Sequence, residues 1–259
     1  MVGSLVSNRA GVAILSIILG VLFAWLIAPF VFTHLPHDRA QIGIVVKRMR
    51  EKPRLAVIGN SVAMYGVQLH ANLASPGQMI AESVMIASEL RDTPAIILVV
   101  TPWQLATPST PNYEGWNAWW MYGLRPSAET RSLAGMPDTT DAEERFRSRW
   151  AVRASFESAF ARGKTNDEVW QGSEQFAVDP RQRGLIEAVA KRRNIIVVLA
   201  PLSPIVRAHY GDAFKSVRFA NTRTIDASEL LQQHELRDAT HPTPAGAQKL
   251  TRFIEEQLY

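Results

Sequence analysis

Three short runs in this chain admit only one kind of neighbour. RLAVIG (54 to 59), AIILVVT (95 to 101) and NIIVVLAP (194 to 201) are continuous, apolar and rich in β-branched residues, with no polar alternation. A strand that wets one face alternates polar with apolar residues, whereas an unbroken apolar strand is covered on both faces, the usual condition of parallel sheets. Helical stretches lie between and beyond these runs. GQMIAESVMIASELRD (77 to 92) is one, and DPRQRGLIEAVAKRR (179 to 193), opened by Asp179 and Pro180, is another. PTPAGAQKLTRFIEEQL (242 to 258) is the last, with Pro244 in its first turn. The pattern predicts an α/β fold, a three-layer sandwich with a central parallel sheet. Sites in such sheets form at the carboxyl ends of strands.

Composition narrows the chemistry. At 259 residues and 47% apolar content, the chain can bury a full core in one domain and still carry an appendage. A formal charge of +4 is spread over many arginines and lysines rather than gathered into a run, so no nucleic-acid partner is expected. The absence of cysteine removes disulfides, thiolate metal sites and a cysteine nucleophile. There is no glycine-rich phosphate loop and no His-x-x-x-His helix, so neither a cofactor nor a metal is expected.

The appendage is N-terminal. After a tail at 1 to 9, residues 10 to 33 (AGVAILSIILGVLFAWLIAPFVFT) contain no charge. At ~1.5 Å per residue they are long enough for a bilayer core of roughly 30 Å, which predicts one N-terminal transmembrane helix. A cleaved signal peptide is the rival reading, but the run is long for one and no small-x-small cleavage site follows it. A linker over 34 to 53 includes a helix at 41 to 52, and a domain over 54 to 259 carries a Trp-rich insert at 102 to 179 with a helix at 141 to 162. Arg9 precedes the apolar run while Arg39, Lys47, Arg48, Arg50 and Lys52 follow it, a count that favours a cytoplasmic domain. Long domains, however, translocate largely regardless of charge.

The first strand ends at Gly59-Asn60-Ser61, a polar triplet among residues suited to burial. A serine hydroxyl attacks poorly unless a base takes its proton and a third group orients that base. Of six histidines, His241 has the most telling setting: RDATHPTPAG places Asp238 three residues before it, at the mouth of the last helix. Taken one by one, Ser61 could cap a helix, Asp238 could be a turn acid and His241 a helix cap.

Taken together, GNS at 59 to 61 and D-x-x-H at 238 to 241 resemble the SGNH (GDSL-type) hydrolase superfamily over residues 54 to 258. Asn60 replaces the Asp of the family's first block, which is not a triad member. NLASPG (72 to 77) resembles the second block, with Asn72, Ala74 in place of its first glycine, and Gly77. The third block, G-x-N-D, is missing: AIILVVT runs into PWQLATP, and whether Gln104 or Thr101 stands in for its oxyanion donor is left open by the sequence. The resemblance implies a flavodoxin-like three-layer sandwich and a triad of Ser61, His241 and Asp238. It also implies an oxyanion hole from the Ser61 and Gly77 amides. Asn60, Asn72, Trp103 and Gln104 are the expected substrate contacts, Trp103 because it follows a central strand at the active edge. Membrane-tethered relatives in the superfamily act in D-alanyl transfer to teichoic acid and in exopolysaccharide acylation.

The expected function is therefore a membrane-anchored serine acyl hydrolase or transferase acting on ester-linked, acetyl-type groups of a cell-envelope polysaccharide. Its domain is placed on the extracytoplasmic side of the cytoplasmic membrane by the same analogy. One alternative is a catalytically silent accessory protein of a membrane O-acyltransferase partner, and another is a lipid esterase or lysophospholipase. Trp103, Trp116, Trp119, Trp120, Trp150 and Trp170 form either a glycan platform or packing against the sheet and bilayer interface.

Overall fold

The apolar runs become neighbours in one sheet. The protein, a computed structural model, is described at residues 11–12, 14–23, 44–45, 47–69, 71–75, 78–106, 128, 132 and 176–258. Strands β1 (Leu55–Gly59), β2 (Ala95–Val100) and β3 (Ile195–Leu199) lie inside the three predicted runs, and β4 (Arg223–Asp226) joins them. Every pairing is parallel and the order is β1-β2-β3-β4, with Val57 beside Ile97 and Ile97 beside Ile196. The class is α/β around a central parallel sheet.

Among the described residues from β1 onward, the α-helices are α1 (Ser61–Gly66), α2 (Ile80–Glu89), α3 (Pro102–Ala106), α4 (Pro180–Ala190), α5 (Pro204–Lys215) and α6 (Pro244–Leu258). Successive strand residues point to opposite faces, so the apolar runs feed two cores. Ile58, Leu98 and Val197 pack with Ile86 of α2, Ile186 of α4 and Phe214 of α5. Val57, Ile97 and Val198 pack with Val62 of α1 and with Leu250 and Ile254 of α6. Each such buried aliphatic side chain contributes about 1.5–3 kcal/mol. Beside β1 the chain returns as an edge: Val57 N donates to Ala71 O at 3.0 Å, Leu73 N to Val57 O at 2.6 Å and Ser75 N to Gly59 O at 3.1 Å.

Upstream, helical residues at 44–45 and 47–50 fall inside the predicted linker helix. Val45 is buried in the α2 core, and Arg48 Nη1 donates to Asn72 O at 2.6 Å. Residues 11–12 and 14–23 are also helical, and their large apolar side chains, from Val12 to Phe23, are 47% (Leu22) to 65% (Phe23) exposed. Among the described residues no helix is long and apolar enough to cross a membrane. The transmembrane helix expected over 10 to 33 is thus not seen, and residues 10, 13 and 24 to 33 of that span lie outside the described residues. So do the predicted helix at 141 to 162, most of the insert, and Trp116, Trp119, Trp120, Trp150 and Trp170.

Candidate active site

Ser61 owes its position to the turn before it. Gly59 ends β1 at φ +144°, and a Cβ there would meet Val99 O at 2.7 Å and Ala63 Cβ at 2.9 Å, so only glycine fits. The chain then swings into α1, with Asn60 as its N-cap: Asn60 Oδ1 accepts from Val62 N at 3.0 Å. Ser61 is the first helical residue after the carboxyl end of β1, where a parallel sheet presents its ligands.

Beneath the turn lies a buried polar lattice. Gly59 N donates to Gln78 Oε1 at 2.7 Å, and Ser83 Oγ donates to the same oxygen at 3.0 Å. Gln104 Nε2 donates to Gln78 O at 2.7 Å, while Gln104 Oε1 accepts from Thr101 N at 3.0 Å and from Thr101 Oγ1 at 2.8 Å. Asn60 Nδ2 completes the chain by donating to Thr101 Oγ1 at 3.2 Å. Asn60, Gln78, Thr101 and Gln104 are all buried. The hydroxyl hydrogen of Thr101 is committed to Gln104, so its oxygen can only accept from residue 60. That is the local reason for Asn rather than Asp at this position.

His241 arrives from the far end of the chain on a tight loop between the 3-10 turn Gln233–Glu235 and α6. Leu236 and Pro242 form an antiparallel bridge, and Arg237 N donates to His241 O at 2.8 Å. Asp238 holds the loop with one oxygen and the imidazole with the other. Its Oδ1 accepts from the backbone N–H of Thr240 and of His241, both at 2.8 Å, and its Oδ2 lies 2.8 Å from His241 Nδ1. A spacing of three positions thus lets one carboxylate close the Asx turn with Oδ1 and reach the ring with Oδ2. On the other side of the ring, His241 Nε2 lies 2.9 Å from Ser61 Oγ, across 180 positions of sequence. Ser61, His241 and Asp238 therefore form one continuous hydrogen-bonded relay. Burial pushes the Asp238 carboxyl up, but hydrogen bonds from the His241 and Thr240 backbone and from the His241 ring outweigh it and hold the group below the usual carboxylate range.

The other expected residues fall elsewhere. Asn60 and Gln104 turn inward and bond to the protein, so the substrate-contact role expected of them is replaced by support of the turn. Thr101 and Gln104 do not supply the missing oxyanion donor either, since their polar atoms bond each other and Gln78 O. Asn72 is corrected in the same way. Its Nδ2 donates to Ala63 O at 2.9 Å and Val67 O at 2.7 Å, satisfying carbonyls at the end of α1, and its Oδ1 accepts from Ala74 N at 2.9 Å. Trp103 stands just past the carboxyl end of β2, half-buried against both cores. Gly77 lies outside the described residues.

Gln78, Thr240 and Tyr65 were not singled out from sequence. Thr240 Oγ1 donates to Asp238 Oδ1 at 3.2 Å, and the Tyr65 ring meets the His241 ring edge to face at 5.7 Å. A signal for Tyr65 existed, since it lies four positions after Ser61 at the start of a helix and so shares its face. Among the described residues no group of three or more histidines and carboxylates stands close enough to hold a metal ion.

Fold and site together define an α/β protein with a Ser-His-Asp relay at the carboxyl edge of a parallel sheet. No known family model matches the chain, and no curated protein matches it at a significant level.

Proposed function

We propose that this chain is a serine acyl hydrolase or transferase of SGNH type, built as a three-layer flavodoxin-like sandwich and acting on ester-linked acyl groups of a cell-envelope polysaccharide. One observation carries the reading: the Ser61 hydroxyl lies 2.9 Å from His241 Nε2 while Asp238 Oδ2 lies 2.8 Å from His241 Nδ1. A nucleophile, a base and an orienting acid in that sequence can activate a hydroxyl at neutral pH. Ser61 Oγ bonds to the ester carbonyl carbon and its proton passes to His241 Nε2. The carbon–oxygen bond to the alcohol breaks, and the same proton goes to the departing oxygen. Water or a second hydroxyl then takes the acyl group by the reverse route. Asp238, held ionised, fixes the imidazole tautomer and steadies the imidazolium. The Ser61 amide, joined by that of Gly77, is the proposed oxyanion donor set.

An N-terminal membrane anchor over 10 to 33, with the domain outside the cytoplasmic membrane, belongs to the same proposal. Its support is the run of apolar side chains exposed along the helical residues up to Phe23, which water does not tolerate cheaply.

A second reading, a silent partner of a membrane O-acyltransferase, is favoured by the inward commitment of Thr101 and Gln104, which leaves backbone amides as the oxyanion donors. A fluorophosphonate probe separates the two. Wild type should label at Ser61, whereas Ser61→Ala and His241→Ala should lose labelling with unchanged circular dichroism. An unlabelled wild type sinks the enzyme reading, and a His241→Ala variant that labels at the wild-type rate removes the assigned base.

A further inference from the structure

The surface beside the relay continues in a fixed order. Ser61 and Tyr65 share one face of α1, and His241 lies against both, with Nε2 2.9 Å from Ser61 Oγ and its ring 5.7 Å from the Tyr65 ring. Over Tyr65 sits Arg237, its guanidinium carbon 4.7 Å from the ring centroid. Arg237 is exposed, and Tyr65 is 37% exposed. The backbone N–H of Arg237 donates to His241 O, so the arginine is anchored to the same loop as the imidazole. Among the described residues no carboxylate pairs with its guanidinium, and the adjacent Asp238 gives its oxygens to Thr240 and His241.

The direction of the reaction gives this stack a role. The departing oxygen must come within reach of His241 Nε2 to receive the proton, so the alcohol half of an ester leaves along the imidazole side of Ser61. Tyr65 and Arg237 are the next groups on that side. A guanidinium laid on a tyrosine ring keeps its planar donors outward and pre-set for a two-oxygen acceptor. We propose that Tyr65 and Arg237 form a subsite for the alcohol half of the substrate, and that this half carries an anionic group, carboxylate or phosphate. The proposal rests on the relay acting as an acyl-transfer site.

The test uses the full chain and four esters: nitrophenyl acetate, the same ester with a carboxylate on its ring, the same with a phosphate on its ring, and the mono-nitrophenyl ester of succinate, which puts the charge on the acyl half. For each anionic ester, kcat/KM is divided by that for the neutral one, in wild type and in Arg237→Gln. For a ring-charged ester this ratio should fall roughly fivefold in the variant, mainly through KM, as expected for an exposed charge pair, and should recover in part in Arg237→Lys. A larger fall with the carboxylate or with the phosphate names the anion. Equal ratios in wild type and variant overturn the subsite, as does a fall confined to the succinate ester. Fluorophosphonate labelling of wild-type Ser61 separates the two failures. A labelled serine with unchanged ratios removes only the subsite, whereas an unlabelled serine removes the relay and the subsite with it.

Discussion

The two halves of the relay are held in opposite ways. Ser61 stands on a turn supported from below by side chains drawn from distant parts of the chain: Asn60 reaches Thr101 across 41 positions, and Gln104 reaches Gln78 across 26. Those groups are at most 5% exposed. Asp238 and His241 are held by bonds spanning two or three positions, and their side chains are 40% and 21% exposed. The loop is also closed by Arg237 N to His241 O and Thr243 N to Glu235 O, both at 2.8 Å, and tied to α6 by the Lys249–Glu235 ion pair at 2.9 Å and to α1 by the His241–Ser61 bond. Buried polar networks are costly to leave half-satisfied, while exposed local bonds are cheap to break. Damage on the serine side should therefore appear as lost stability, and damage on the histidine side as lost chemistry in a protein that still folds.

The sharpest attempt to break that contrast is Asp238→Asn. The amide can still accept from the Thr240 and His241 N–H groups, so the loop should persist and the midpoint of denaturant unfolding should hardly move. The group facing His241 Nδ1 can now present a donor, which favours the wrong tautomer, and the rate of Ser61 labelling should fall by about 10³–10⁴. On a free-energy scale that is about 4–5.5 kcal/mol of barrier. A variant that labels at the wild-type rate would show that the carboxylate orients nothing.

The complementary change on the serine side is Asn60→Asp, a loss of one hydrogen-bond donor. It keeps the N-cap acceptor for Val62 but sets a buried carboxylate against a Thr101 oxygen whose hydrogen already belongs to Gln104. The expected cost is about 1–3 kcal/mol in urea unfolding. An unchanged unfolding midpoint would mean that the lattice under the turn is slack, and the contrast between the two halves would dissolve.

The same contrast explains what could be read in the residues beforehand. β1, β2 and β3 were legible because burial on both faces leaves an unbroken apolar run, helix α2 because of its apolar period, and α4 and α6 because Asp179, Pro180 and Pro244 mark their starts locally. β4, Arg223–Asp226, escaped because only one of its four residues is buried, which leaves no apolar run to see. Helix α5 escaped although Ser203 and Pro204 open it as cap and first residue. The relay was legible since Asp238 and His241 act through local spacing and Ser61 follows a strand. Asn60, Asn72 and Gln104 read as substrate contacts from sequence alone because an amide side chain serves a substrate or a backbone equally well. Only the fold tells which, by burying all three.

The smallest predicted effect is an acid-limb difference at Asp238. Its folded-state carboxyl titrates lower than usual because hydrogen bonds from His241 and Thr240 outweigh the upward push of burial. As pH falls, the unfolded chain therefore takes up a proton near the ordinary value of about 3.9, before the folded chain does. Stability contributed by this group is present above that pH and is lost as pH drops through the lower folded value. The carboxylate is 40% exposed, so solvent screening keeps the contribution small. Unfolding free energies of wild type and Asp238→Asn, compared across acid pH, should keep a constant gap down to about pH 5 and converge progressively below it. A gap that ignores acid would mean that Asp238 gains nothing from its bonds to the loop, and its exposure rather than its partners would then set its charge.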